Sequence, residues 1–111
     1  MEEVDIKDLK FDVEDDWLRE YANKNGNSID KHPLYLALKG DKSILDQWCT
    51  YLKNIWLMER IDLLLDVYKS LIRYGQLEPI RLKADKTIIT GHKRACVLLI
   101  MGKDKVKAVY E

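Results

Sequence analysis

An α+β domain is what the sequence predicts, and three observations carry that expectation. Apolar residues in the middle of the chain recur every three or four positions, after Gly75 they alternate at every second position, and an uncharged apolar run from Ala95 to Met101 is entered through Gly91-His92-Lys93-Arg94. The first pattern belongs to amphipathic helices, the second to short half-buried strands, and the third to a helix held between layers. With 111 residues the chain holds one core and has no room for a separate catalytic partner domain. A large multidomain enzyme is excluded.

Taken in order, Val4, Ile6 and Leu9 suit a short strand or an extended arm. Asp15 to Tyr21 reads as a short helix ending in the breaker cluster Asn23-Lys24-Asn25-Gly26-Asn27. Residues 1–30 therefore form an acidic N-terminal arm or edge segment. His32-Pro33 restricts the backbone ahead of Leu34-Tyr35-Leu36-Ala37-Leu38, a loop or helical turn closed by Lys39-Gly40-Asp41. Ile44, Leu45, Trp48, Leu52, Ile55 and Trp56 mark a first central helix, with Asp41 or Ser43 to cap it. Ile61, Leu64, Leu65, Tyr68, Leu71 and Ile72 mark a second, which Gly75 ends in the left-handed conformation favoured at helix termini. Asn54 to Glu59 is the place for a bend or break between them, although no Gly or Pro forces one. Ile80, Leu82 and Ala84 then alternate with Arg81 and Lys83, and Asp85-Lys86 turns into Thr87-Ile88-Ile89-Thr90 as a β-hairpin. Gly102 terminates the Ala95–Met101 helix, and Val106, Ala108 and Tyr110 supply a closing strand.

Nineteen basic and nineteen acidic side chains give a formal net charge of zero, which hides an asymmetry. Residues 1–16 hold eight acids against Lys7 and Lys10, whereas 79–111 hold eight bases against Asp85, Asp104 and Glu111. An anionic ligand is drawn to the last third, unless the N-terminal acids are a solvated arm or cover that basic surface from within the chain. Cys49 and Cys96 are too few for a disulfide framework or a zinc knuckle, so reduced thiols are expected. No apolar run approaches the roughly 20 residues that span a bilayer, and Met1-Glu2-Glu3 is acidic where a secretory leader is basic. The expectation is a cytoplasmic protein with no membrane partner.

The chemistry concentrates in the turn from Thr90 to Arg94. The amino end of a helix carries partial positive charge and free N–H groups, so His92, Lys93 and Arg94 in its first turn are each unfavourable by about 0.3–1 kcal/mol. A bound phosphate or carboxylate reverses the sign of every one of these terms. Gly91 removes a Cβ that would block close approach, and Thr90 is placed to cap the helix or offer its hydroxyl to the same anion. A purely structural alternative sends Lys93 to solvent, uses His92 to cap a carbonyl and pairs Arg94 with Asp62 or Asp66. A complete P-loop is absent, because no GxxxxGK[ST] string occurs. His32 reads as a hydrogen-bonded loop histidine, Trp48 and Trp56 as core, and Tyr74 as the aromatic best placed to reach a ligand. Cys96, inside an apolar run, reads as a buried small hydrophobe rather than a nucleophile.

The ordered strings Gly75-Gln76-Leu77-Glu78-Pro79-Ile80-Arg81-Leu82, Ile88-Ile89-Thr90-Gly91-His92-Lys93-Arg94-Ala95-Cys96-Val97-Leu98-Leu99-Ile100-Met101-Gly102 and Lys105-Val106-Lys107-Ala108-Val109 resemble the ParB/sulfiredoxin superfamily, in particular its stand-alone ParB-like domains. His32 to Asp41 is similar to a leader in some of those domains. The resemblance implies a ParB/sulfiredoxin-like fold over 31–111, with two central helices packed on a small mixed sheet and a strand–Gly-x-x-Arg–helix turn. It implies that Gly91, His92, Lys93 and Arg94 form the phosphate-binding turn and that Gly75, Pro79 and Ile80 line the pocket, to which the reading of the residues themselves adds Thr90 at the phosphate and Tyr74 and Glu78 at the pocket wall. A nucleoside triphosphate with Mg²⁺ is the implied cofactor, with nucleotide hydrolysis or phosphoryl transfer as the implied chemistry. The sequence departs from the family at two places. Glu78 stands where the ParB pattern has Gln before Pro, which removes the basis for an inherited base or ribose contact. His92 stands where sulfiredoxins carry their catalytic Cys, which argues against sulfinic-acid reduction. DNA association is part of the family's character, yet no helix-turn-helix follows the domain here, so operator binding by this chain is not expected. The competing expectation is a non-catalytic adaptor that reads a protein or nucleic acid through the basic C-terminal third. Exposed faces of the two central helices also leave room for a homodimer.

Overall fold

The computed structural model describes residues 2–53, 57–76 and 78–111, the side chains of 57–61 aside. Among them are four strands and five α-helices, an α+β fold. Strand β1 (Glu2–Asp5) pairs antiparallel with β4 (Lys105–Tyr110), β4 runs parallel to β2 (Ile80–Leu82), and β2 pairs antiparallel with β3 (Ile88–Thr90). The sheet order is β1-β4-β2-β3, so the first and last strands of the chain lie side by side. The expected hairpin is present, its turn closed by Lys86 at φ 70° and by the Lys86 N–H donating to the Lys83 carbonyl at 2.9 Å.

The acidic N-terminal segment supplies the edge strand, and its apolar residues belong to the common core. Ile6, Leu9, Phe11, Leu18 and Ile29 are all buried in the same cluster as Ile80, Leu82, Val97 and Val106. Helix α1 (Asp16–Asn25) is capped by Asp15, whose Oδ1 accepts from the Leu18 N–H at 2.8 Å, and Gly26 follows it at φ 87°. Pro33-Leu38, read from sequence as a loop or helical turn, is helix α2 (Pro33–Leu38), with Pro33 in its first turn and the His32 ring capping it. That ring accepts from the Leu34 N–H through Nδ1 at 3.1 Å.

The first central helix is α3 (Ser43–Leu52) and the second is α4 (Leu57–Tyr74). Asp41 serves α3 from outside, its carboxylate accepting from both the N–H and the hydroxyl of Ser43, while Lys42 occupies the capping position. Helix α3 ends at Lys53 with φ 66°. The expected Asn54–Glu59 break falls largely outside the described residues, as do Ile55 and Trp56 of the first helical stripe. Gly75 ends α4 as expected, at φ 70° with its N–H donating to the Leu71 carbonyl at 3.0 Å. Helix α5 (His92–Ile100) is the innermost helix. It packs against β2 and against both α2 and α4, while α3 packs on α2 and α4. The sheet therefore meets α5, and the central pair is layered beyond it. Ala95, Cys96, Val97 and Leu98 of α5 are buried, as the uncharged run required.

Candidate anion-binding cleft

Strand β3 delivers the chain to Gly91, and α5 begins at the next residue. Gly91 itself occupies the capping position at φ 112°, and no side chain caps the helix. The expectation that Thr90 serves as cap is corrected: Thr90 is the exposed last residue of β3, paired in the sheet with Arg81. The first intrahelical bond runs from the Ala95 N–H to the Gly91 carbonyl at 2.9 Å, so the N–H groups of His92, Lys93 and Arg94 have no intrahelical acceptor.

The reason for glycine at this turn also differs from the sequence reading. A Cβ built on Gly91 would lie 2.5 Å from Ile80 Cγ2 and 2.8 Å from Ile80 Cβ. Contact with β2 therefore demands glycine, quite apart from any ligand, and the positive φ demands it a second time. Ile80, expected to line the pocket, is instead fully buried under the turn.

A cleft of about 800 Å³ opens beside this turn, within the size range of small-molecule sites. Thr90, Gly91, His92, Lys93 and Arg94 form one rim, and Glu78 and Pro79 lie on the facing segment. Gln76 fixes that segment to β4: its side-chain amide donates to the carbonyls of Glu78 and Lys107, each at 2.9 Å, and accepts from the Lys107 N–H at 2.8 Å. Leu34, Trp48, Val67, Ile89 and Val109 provide apolar wall, and Glu14 and Arg81 complete the charged lining. Gly75 lies outside, in a smaller adjoining cleft of about 340 Å³ that shares Val67, Glu78 and Arg94. Tyr74 is corrected as well. It lines neither cleft and stands exposed, with the Arg73 guanidinium 5.5 Å from its ring centre. The aromatic groups at the cleft are Trp48, His32 and His92.

These rings form the floor. His32 meets Phe11 edge-on at 5.0 Å and Trp48 at 5.8 Å, and lies 5.7 Å from the His92 ring. The Trp48 indole N–H donates to Asp15 Oδ2 at 2.9 Å, so the residue that caps α1 also holds this wall of the cleft. His92 is not one of the cations the sequence suggested. Its Nε2 accepts from the Asp12 N–H at 3.0 Å, which leaves that nitrogen unprotonated. Burial lowers its pKa to about 4, the nearby Asp12 carboxylate opposing and Lys93 reinforcing the shift. The ring is neutral at pH 7.

Positive charge at the α5 pole thus comes from Lys93 and Arg94. Neither joins an ion pair among the described residues, where the pairs are Arg19–Asp16, Arg81–Glu111, Lys86–Asp8 and Lys105–Asp5. Arg94 donates through Nη1 to the Glu78 carbonyl at a long 3.4 Å, and its expected structural partners Asp62 and Asp66 do not pair with it. Arg81, by contrast, is held by Glu111 at 2.8 Å. Cys96 is fully buried with its thiol pushed up to about 12 by desolvation, which excludes a thiolate nucleophile. No group of three His, Cys, Asp or Glu side chains suited to a metal is found among the described residues. No helix among them is long and apolar enough to cross a membrane. Comparison with protein-family models, curated proteins and solved structures found no match for the chain.

Proposed function

We propose that the cleft binds a ligand carrying a phosphate or carboxylate group, with a nucleotide as the ligand class that best fits both its volume and its lining. The observation that carries this reading is the uncapped amino end of α5, where Lys93 and Arg94 sit on the rim without an ion-pair partner among the described residues. The N–H groups of His92, Lys93 and Arg94 are the backbone donors, the guanidinium of Arg94 supplies a two-pronged clamp, and Lys93 adds a point charge. Neutral His92 stays hydrogen-bonded to Asp12 and shapes the floor. The apolar wall and the Trp48 ring suit the non-ionic part of such a molecule. The strand–Gly-x-x-Arg–helix order resembles the ParB/sulfiredoxin turn and supports the same ligand class. Mg²⁺ would enter with the nucleotide, since the described side chains offer no metal cluster. The adaptor reading is the less favoured one, because Asp5, Asp8 and Glu111 already neutralise Lys105, Lys86 and Arg81 in the basic third.

A thermal-shift panel of nucleoside triphosphates and pyrophosphate, with and without Mg²⁺, tests the proposal. Ligand at a hundredfold excess over Kd stabilises by about 2.7 kcal/mol, equivalent to a rise of roughly 10 °C or more for a chain of this size. Arg94→Ala should weaken binding by about 10- to 100-fold through loss of a charged hydrogen bond, with the fold retained. An unchanged melting temperature in millimolar nucleotide, together with a rise on adding a nucleic acid or protein partner, would transfer the role to an adaptor.

A further inference from the structure

Gln76 follows the glycine that ends α4 and lines neither the cleft at the α5 turn nor the smaller one beside it. Any effect it has on a ligand there must pass through another residue. Its side-chain amide is committed to backbone groups at both ends. Nε2 has two hydrogens, one for the Lys107 carbonyl and one for the Glu78 carbonyl, each at 2.9 Å, while Oε1 accepts from the Lys107 N–H at 2.8 Å. Because Lys107 presents a donor and an acceptor to the same amide, only one orientation fits. Turning the amide over would set N–H against N–H and oxygen against oxygen. The second hydrogen is thereby aimed at Glu78, which precedes the first residue of β2, Ile80, by two positions.

The same Glu78 carbonyl accepts from Arg94 Nη1 at 3.4 Å. Arg94 stands in the first turn of α5, borders both clefts and joins no ion pair among the described residues. A guanidinium on a long stem loses rotamer freedom when it clamps an anion, and one already oriented loses less. A contact of this length orients the group while leaving its other N–H donors to a ligand. The place of the carbonyl therefore matters, and Gln76 sets it.

We propose that Gln76 is a positioning residue for the anion site: through the Glu78 carbonyl it fixes where the Arg94 guanidinium stands before a ligand arrives. The assignment rests on the anion-binding reading of the cleft given above. A double-mutant cycle of Gln76→Ala and Arg94→Ala tests it, with pyrophosphate affinity followed by amide chemical shifts. With Arg94 present, Gln76→Ala should weaken binding about 2- to 10-fold, the effect of losing the pre-ordering of one long side chain. In the Arg94→Ala background the same substitution should change affinity by less than about twofold. Gln76→Met, which keeps the length of the side chain without its donors, should give both results again and replaces Gln76→Ala should that variant fail to fold. A Gln76 that serves the fold alone would weaken binding by one factor with or without Arg94, and that result overturns the assignment. Unchanged affinity in both Gln76 variants overturns it as well. No pyrophosphate binding by the unsubstituted chain, or full affinity in Arg94→Ala, would instead remove the anion-binding reading itself, and this assignment with it.

Discussion

At Gly91 a missing side chain answers to the strand beneath it. A methyl group there would meet Ile80 at 2.5 Å in a backbone conformation that L residues rarely adopt. Left-handed backbone costs about 1–2 kcal/mol and overpacking about 1–3 kcal/mol, so Gly91→Ala should lower stability by about 2–5 kcal/mol in urea denaturation at pH 7. His92 makes a second single-residue case. Its folded pKa of about 4 lies below the ordinary 6.5, so between these values the unfolded chain binds more protons than the folded one. Stability is complete above pH 6.5 and falls as the pH drops towards 4, by on the order of 3 kcal/mol across the window. His92→Gln, which keeps an acceptor for the Asp12 N–H, should flatten the fall in melting temperature over that range. An unchanged slope would place the titrating group elsewhere.

Among the elements, the strand-to-helix turn was the most legible feature, because a period of two giving way through glycine to an uncharged run admits few other structures. Its electrostatics were less legible. Sequence showed three basic residue types in the first turn, but the protonation of His92 depends on burial and on a hydrogen bond from a residue eighty positions away. Gln76 gave no signal either: a half-buried polar side chain beside a helix terminus owes its importance to β4, thirty-one residues further on. Tyr74 was misplaced for the converse reason, since closeness in sequence to Gly75 says nothing of the direction in which the last turn of α4 points its rings. Trp48 was read rightly as core, but its role as a wall of the cleft depends on Asp15 at the start of α1. Asp15→Ala removes a cap worth about 0.5–2 kcal/mol and strands an indole N–H at about 1–3 kcal/mol. A total loss of about 1.5–5 kcal/mol is expected in chemical denaturation. Asp15→Asn retains the cap and should lose only the second part, with a change in Trp48 fluorescence in both variants.

Across the molecule, part of the uneven charge along the sequence is paired off, twice between the acidic first segment and the basic last third and once within that third. Edge strand β1 brings Asp5 within 2.8 Å of Lys105 on β4, and each partner shifts the other's pKa towards its charged form. Asp8 meets Lys86, and Glu111 meets Arg81. Composition announced the asymmetry, but only the pairing of the first strand with the last shows which cations it leaves over. Of the bases left over, Lys83, Lys93, Arg94, Lys103 and Lys107, only Lys93 and Arg94 stand at a helix end that already repels them and line the larger cleft. Titration of the ¹⁵N-labelled protein with pyrophosphate and with a nucleoside triphosphate, followed by amide chemical shifts, examines that arrangement atom by atom. The account predicts saturable changes that are largest at the amides of His92, Lys93 and Arg94, and that need about 10- to 100-fold more ligand in Arg94→Ala. Shifts centred on another surface, or none with about 10 mM ligand, weaker than the millimolar affinities of the least specific sites, would contradict it.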